Sequence, residues 1–317
     1  MPSSVAYAAI GLVLLYLGAE WLVKGAAGLA RSFGIPAIIV GLTVVGYGTS
    51  APEMTVSIVA AVRDSSEIAV ANVIGSNIAN LGLILGLTAV LSPPRTDGRL
   101  VRREIPLLLA SVAAVPVVLW DGVLSRIEAA MLVLVAACFT LWLVRDARVS
   151  PGVPEAIETA AEGAGAPPSR SRPALIGLAL GGLAVLVLGG ELLVRGATGL
   201  ARALGLSDHV IGLTVVAIGT SLPELATSVV AARRGHSDLA VGNVVGSNLY
   251  NVLLVLAGTA LVRPIATEIQ TIRNDLVMLG AMTLFAAVLL RTARTLRRWE
   301  GGALLVAFAA FIAYALW

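Results

Sequence analysis

The chain has 317 residues, 58% of them hydrophobic and only 13% charged, and its mean hydropathy is +0.93. Soluble domains carry about 25% charged residues, so this composition excludes a soluble enzyme, a disordered protein and a nucleic-acid binder. The net charge of +3 fits basic cytoplasmic loops of a membrane protein better than an acidic partner.

Ten apolar segments follow one another, at 5–31, 37–62, 68–92, 105–120, 124–144, 174–201, 209–232, 239–262, 276–290 and 301–317. A helical span needs about 20 apolar residues, and open strands cannot cross lipid. All ten are therefore predicted as membrane-spanning helices, the fourth, ninth and tenth extending into their flanks. Met1 to Ala19 lacks a basic leader region and runs straight into Glu20 and Lys24, which predicts a retained first helix. The fifth segment holds Cys138, the only cysteine, so no intrachain disulfide forms. Between the fifth and sixth, residues 145–173 carry Pro151, Pro154, Glu155, Glu158, Glu162, Pro167 and Pro168 and read as a polar linker.

The two halves repeat. A shift of 171 residues overlays 41–90 on 212–261 without a gap, with 28 of 50 positions identical. GLTVV recurs at 41–45 and 212–216, GTS at 48–50 and 219–221, GSN at 75–77 and 246–248. Five spans per half is an odd number, so the second half enters the membrane in the opposite sense. The expected architecture is an all-α integral membrane protein of ten transmembrane helices, arranged as two inverted five-helix repeats. These are 1–144 (first motif 41–92) and 174–317 (second motif 212–262), joined by the 145–173 linker. Such inverted repeats are typical of secondary transporters. With the N-terminus outside, 15 Lys and Arg fall in inside loops and 5 in outside loops. That bias predicts a plasma or inner membrane protein with both termini outside and a cytoplasmic linker.

Six of the 41 charges lie inside spans, as three repeat-related pairs: Glu20 with Glu191, Lys24 with Arg195, and Glu53 with Glu224. Glu20–Lys24 and Glu191–Arg195 have the i,i+4 spacing of mutually neutralising pairs. Glu53 and Glu224 have no basic residue in their own span. They end the broken-helix sequences GTSAPE (48–53) and GTSLPE (219–224). Pro52 and Pro223 remove N–H donors and release carbonyls that lipid would not tolerate unless they line a cavity. A carboxylate at the membrane centre costs about 2.5–3.5 kcal/mol on insertion scales. Two carboxylates beside freed carbonyls and hydroxyls make a hard, oxygen-rich site suited to Na⁺ or Ca²⁺ and unsuited to zinc or copper.

The following span adds NVIGSNIAN (72–80) and NVVGSNLYN (243–251), in which Ser76, Asn77 and Asn80 match Ser247, Asn248 and Asn251. Ser76 and Asn80 are one turn apart and share a face. Gly75 and Gly246 are read as points of close helix approach, Thr43 and Thr214 as packing residues. The Gly-rich first and sixth segments, with Gly25, Gly28, Gly196 and Gly199, are candidates for a sliding gate.

These segments resemble the cation/Ca²⁺ exchanger superfamily, in its prokaryotic sodium/calcium exchanger branch. GLTVVGYGTSAPE with GSNIAN, and GLTVVAIGTSLPE with GSNLYN, match the family's two alpha repeats in order, spacing and duplication. The resemblance implies exchange of several Na⁺ for one Ca²⁺ across a bilayer, with no cofactor and no obligate protein partner. It implies Glu53 and Glu224 as the main carboxylate ligands. Thr49 and Thr220 would position the site and lend backbone carbonyls, and Ser50, Ser221, Ser76 and Ser247 would lend hydroxyls. Gly46 and Ala217 would lend carbonyls, and Asn80 and Asn251 would complete the central site. Many relatives carry Asp at one or both of the last two positions. With Asn at both, the site holds two formal negative charges, which one Ca²⁺ or two Na⁺ neutralise and three Na⁺ exceed by one. A second K⁺ site is not expected without the extra Asp.

The same glutamates could load protons, which makes a Ca²⁺/H⁺ exchanger the alternative. An ion channel would call for a continuous pore within rings of ligands. An intramembrane enzyme would call for a nucleophile–base dyad or a metal triad. Neither pattern is visible in the sequence.

Overall fold

The computed structural model describes residues 2–95, 100–149, 171–204, 217–292 and 295–315. The described chain is almost entirely helical. Its helices are α1 (Pro2–Phe33), α2 (Ala37–Thr49), α3 (Ala51–Val62), α4 (Ser66–Leu91), α5 (Ile105–Val118) and α6 (Arg126–Val149). After these come α7 (Arg172–Ala203), α8 (Ala217–Thr220), α9 (Leu222–Arg233), α10 (Ser237–Val262), α11 (Arg273–Thr292) and α12 (Arg298–Ala315). Among the described residues six helices, α1, α4, α6, α7, α10 and α11, are long and apolar enough to cross a membrane, and α2 and α3 are shorter apolar helices. The chain is a membrane protein.

Three details refine the expected elements. The 37–62 segment is broken, as its GTSAPE sequence predicts, and the division falls at Ser50. Helix α6 runs on to Val149, into the polar stretch that begins at Arg145. Most of that linker (150–170), and the second GLTVV copy with Thr214, lie outside the described residues. Third, α4 and α10 each widen into a π-helical turn, at Asn80–Ile84 and Asn251–Leu256.

The helix α4 and its counterpart α10 form the centre. Their apolar windows are 72% and 83% buried, against 33% for α1 and α7, so α1 and α7 present most of their surface to lipid. These two long helices pack on each other through glycines spaced by seven: Gly11, Gly18 and Gly25 on α1, Gly182, Gly189 and Gly196 on α7. A Cβ on Gly18 would stand 2.6 Å from the Leu186 amide nitrogen, one on Gly25 2.6 Å from that of Ala179, and one on Gly189 2.7 Å from that of Leu15. The contact is therefore backbone to backbone, which only small residues permit. Numbering rises on one helix as it falls on the other, so they run antiparallel. A seven-residue repeat keeps one seam in contact only if the helices coil left-handedly.

The loop contacts fall into two sets. At one end, the Leu296 amide donates to the Pro94 carbonyl at 3.0 Å, Ser92 Oγ to the Ala232 carbonyl at 3.0 Å, and Arg172 Nη2 to the Ser32 carbonyl at 2.8 Å. At the other end, β1 (Val123–Leu124) pairs antiparallel with β2 (Ile265–Ala266). There Arg126 Nε donates to the Leu261 carbonyl at 3.1 Å, Arg263 pairs with Asp64, and Asn274 Nδ2 donates to Tyr314 OH at 2.7 Å.

Candidate functional site

Each proline-broken helix is interrupted at the serine two residues before the proline. Ser50 has φ −81° and ψ 7°, and Ser221 has φ −89° and ψ 9°. Pro52 and Pro223 then fall in the first turn of α3 and α9, where a missing N–H leaves no hydrogen bond unmade. The break also puts Glu53 and Glu224 in that first turn, at the positive end of a helix dipole. The carbonyl end of α2 faces the same break, which is how discontinuous helices gather ligands for cations.

Glu53 and Glu224 are wholly buried. Each is met by the serine of the other half: Ser221 Oγ donates to Glu53 Oε1 at 3.2 Å, and Ser50 Oγ donates to Glu224 Oε1 at 3.3 Å. Thr49 Oγ1 also reaches across, donating to Asn243 Oδ1 at 3.2 Å. The two repeats are thus laced together at this point, and among the described residues no cation pairs with either carboxylate.

Thr49, Ser76, Ser247, Asn80 and Asn251 are buried as well, and Thr220 is half-buried. Ser247 Oγ donates to the Gly46 carbonyl at 3.3 Å and lies 3.4 Å from Thr49 Oγ1. Asn251 Nδ2 donates to Asn77 Oδ1 at 3.1 Å. Ala217 is described by its backbone alone, as the first residue of α8. Among the described residues several buried oxygens have no partner: Glu53 Oε2, Glu224 Oε2, Ser76 Oγ, Asn80 Oδ1, Asn248 Oδ1 and Asn251 Oδ1. Buried polar atoms are almost always paired, and leaving one unpaired costs about 1–3 kcal/mol. So many together describe a site built to take a ligand from outside the chain. Among the described residues no group of three or more His, Cys, Asp and Glu forms. The donor set is two carboxylates and neutral oxygens, which suits a hard cation.

The sequence reading missed the residues behind the glutamates. Asn72 Nδ2 donates to the Glu53 carbonyl at 3.1 Å and to Ser57 Oγ at 2.9 Å. Asn243 Nδ2 repeats this with the Glu224 carbonyl at 3.2 Å and Ser228 Oγ at 2.9 Å. Both pairs are identical across the 171-residue shift, and that identity was the available signal. Asn77 and Asn248, noted only as matching, are wholly buried, and Asn77 Oδ1 is the acceptor of the Asn251 amide. The π-helical turns start at Asn80 and Asn251, and such turns inside α-helices frequently mark functional sites. Close approach holds for Gly246, where a Cβ would come 2.5 Å from the Leu42 carbonyl oxygen. It does not appear for Gly75, where among the described residues nothing stands within 4 Å.

Comparison with known proteins places the chain. The family described as sodium/calcium exchanger protein matches residues 3–145 and 174–317. The sodium/calcium exchanger MaX1 of Methanosarcina acetivorans is 32% identical over 345 residues, covering 96% of this chain and 95% of that one. The inner membrane protein YrbG of Escherichia coli is 37% identical over 314 residues, covering 97% and 95%. A solved structure of the sodium-calcium exchanger NCX_Mj, soaked without Na⁺ and Ca²⁺, superposes with a TM-score of 0.84 at 34% identity and covers 99% of both chains. The chain therefore belongs to the sodium/calcium exchanger family, a family of transporters.

Proposed function

We propose that this protein is a secondary active antiporter that exchanges Na⁺ for Ca²⁺ across a membrane, both ions being substrates of one site between the repeats. The observation that carries the reading is the pair Glu53 and Glu224. They are buried, unneutralised, held by each other's serines and surrounded by unpartnered neutral oxygens. The ligand set comprises Glu53, Glu224, Thr49, Thr220, Ser50, Ser221, Ser76, Ser247, Asn80 and Asn251, with carbonyls of Gly46 and Ala217. Na⁺ and Ca²⁺ compete for the same oxygens, so one cargo excludes the other, and that competition makes an exchanger rather than a cotransporter.

Ten spans in two inverted repeats, separated by the 145–173 linker, supply the frame. The antiparallel packing of the repeat-related α1 and α7 supports it. So does the sorting of loop contacts: those following odd-numbered segments meet one another at one end, those following even-numbered segments at the other. The Arg bias assigns the first end to the cytoplasm and both termini to the outside. Alternating access then exposes the fixed midplane site to each side in turn. Burying two bare carboxylates is costly, so the empty site resists occlusion and the ions do not leak. A Ca²⁺/H⁺ exchanger would use the same glutamates, but the many neutral oxygens favour Na⁺. Ca²⁺ uptake into proteoliposomes under an outward Na⁺ gradient tests the reading. Uptake driven by a pH gradient and indifferent to Na⁺ would replace it with the alternative.

A further inference from the structure

The repeats agree in sequence but not in the ion pairs they make. Glu20, 6% exposed, lies on α1. Its Oε2 is 3.0 Å from Lys24 Nζ, and its Oε1 accepts from Arg234 Nε at 2.8 Å and from Arg234 Nη2. Arg234 follows the last residue of α9, so this two-pronged contact ties α1 to the end of α9. The 171-residue shift carries Glu20 to Glu191, Lys24 to Arg195 and Arg234 to Arg63. The local pair is kept, with Arg195 Nη2 2.5 Å from Glu191 Oε1. The long-range one is not: Glu191 is exposed, and among the described residues Arg63 makes no ion pair.

Packing and cavities show the same asymmetry. Helix α1 packs along α9, whereas α7 stands off α3. A cavity of about 550 Å³ opens between α7 and α3 and reaches Ser50 at the cation site. The matching cavity beside α9, about 580 Å³, ends at Leu222 without Ser221 in its lining and has Glu20 and Arg234 in its wall. Thr55 on the α3 side is exposed, while its repeat mate Ala226 is half-buried. The cavity on the side without the long-range ion pair reaches a residue of the site, and the one on the side with it stops one residue short.

We propose that Glu20–Arg234 is a latch for one access state and Glu191–Arg63 its counterpart in the other, so that one pair forms as the other parts. The inference rests on the alternating-access reading above. Glu20 is buried, and a charge so placed is stable only while paired; Glu191 would meet the same condition when its own side closes over it, with Arg63 as the arginine of the opposite repeat. Two guanidinium N–H groups of Arg234 converge on the one oxygen Oε1, a charge-assisted contact stronger than a neutral hydrogen bond and so able to act as a catch. Lys24 and Arg195 remain with their glutamates throughout and keep the unlatched carboxylate neutralised. Small residues along the α1–α7 seam permit the two helices to move as a unit.

The test reads water access, independently of transport. In a C138A background, T55C and A226C are labelled in ion-free proteoliposomes with an impermeant thiol reagent on both faces. The expected result is fast labelling of T55C and slow labelling of A226C. Adding R234A should raise A226C labelling about tenfold, within the range typical of coupling between two states, and slow T55C. The charge swap E20R with R234E, which keeps the pair and controls for misfolding, should restore the original pattern. Adding R63A should leave A226C protected. Unchanged labelling in R234A, or a charge swap that fails to restore protection, would overturn the latch. A latch that behaves as expected in a protein showing no Na⁺-driven Ca²⁺ flux would leave the inference standing and remove the transport reading instead.

Discussion

Replacing Asn243 by alanine tests whether the residues behind the glutamates set ion affinity. Asn243 is wholly buried. Its Nδ2 donates to the Glu224 carbonyl at 3.2 Å and to Ser228 Oγ at 2.9 Å, and its Oδ1 accepts from Thr49 Oγ1 at 3.2 Å. Each such bond contributes about 1 kcal/mol net, so N243A removes about 3 kcal/mol from the local network. Two of the three bonds hold groups that face the ion, the Glu224 segment and Thr49. Losing their orientation should cost about 2 kcal/mol in binding, or about 30-fold in apparent Ca²⁺ affinity. Asn72 holds Glu53 in the same way but is only half-buried. Water can replace its bonds, so N72A should cost about 1 kcal/mol, or about fivefold. The measurement is the Ca²⁺ concentration for half-maximal Na⁺-driven uptake into proteoliposomes, with protein quantity normalised. Equal affinities in N243A, N72A and the unsubstituted protein would refute the reasoning. So would a loss confined to the amount of folded protein.

Three further outcomes are expected. E53Q and E224Q each remove one of the two site charges while keeping size and buried shape, and each should abolish Na⁺-driven Ca²⁺ uptake in a protein of normal yield; retained exchange would move the site elsewhere. A valine at Gly189 would drive its Cβ to 2.7 Å from the Leu15 amide nitrogen, so G189V should lower the unfolding temperature in detergent by several degrees. On the same helix G177A should leave it unchanged or raise it slightly, because nothing among the described residues stands within 4 Å and alanine is about 1 kcal/mol better in a helix. His236 is the residue before α10, outside the spans, where burial, with Arg31 and Arg234 adding to it, holds its imidazole below the ordinary 6.5. The unfolded chain therefore takes up this proton first, and the stability His236 supports falls as pH drops below 6.5. In H236Q the difference in stability between neutral and mildly acid pH should shrink; an unaltered pH dependence would show that His236 plays no part in it.

The positions of the helices were legible in the sequence because lipid enforces them locally: each apolar run reports its own solvent. The candidate cation site was legible because Glu53 with Pro52 and Glu224 with Pro223 recur at one fixed shift, and a lone carboxylate in a span needs a reason to be there. Pattern alone did not say that the helix yields at Ser50 and Ser221, nor that α4 and α10 widen at Asn80 and Asn251. These are adjustments of backbone geometry to neighbouring helices. Nor did it pair Ser50 with Glu224 or Ser221 with Glu53, since hydropathy tells which face of a helix is buried and not what it is buried against. The clearest division concerns Glu20 and Glu191. The sequence by itself determined that both exist, each with a basic residue four positions on and an arginine at the end of the opposite repeat's broken helix. It could not determine that Arg234 closes on Glu20 while Arg63 stands free of Glu191, because the two copies carry the same charges at equivalent places. Only the tertiary structure breaks that symmetry, by adopting one of two packings that the same residues allow.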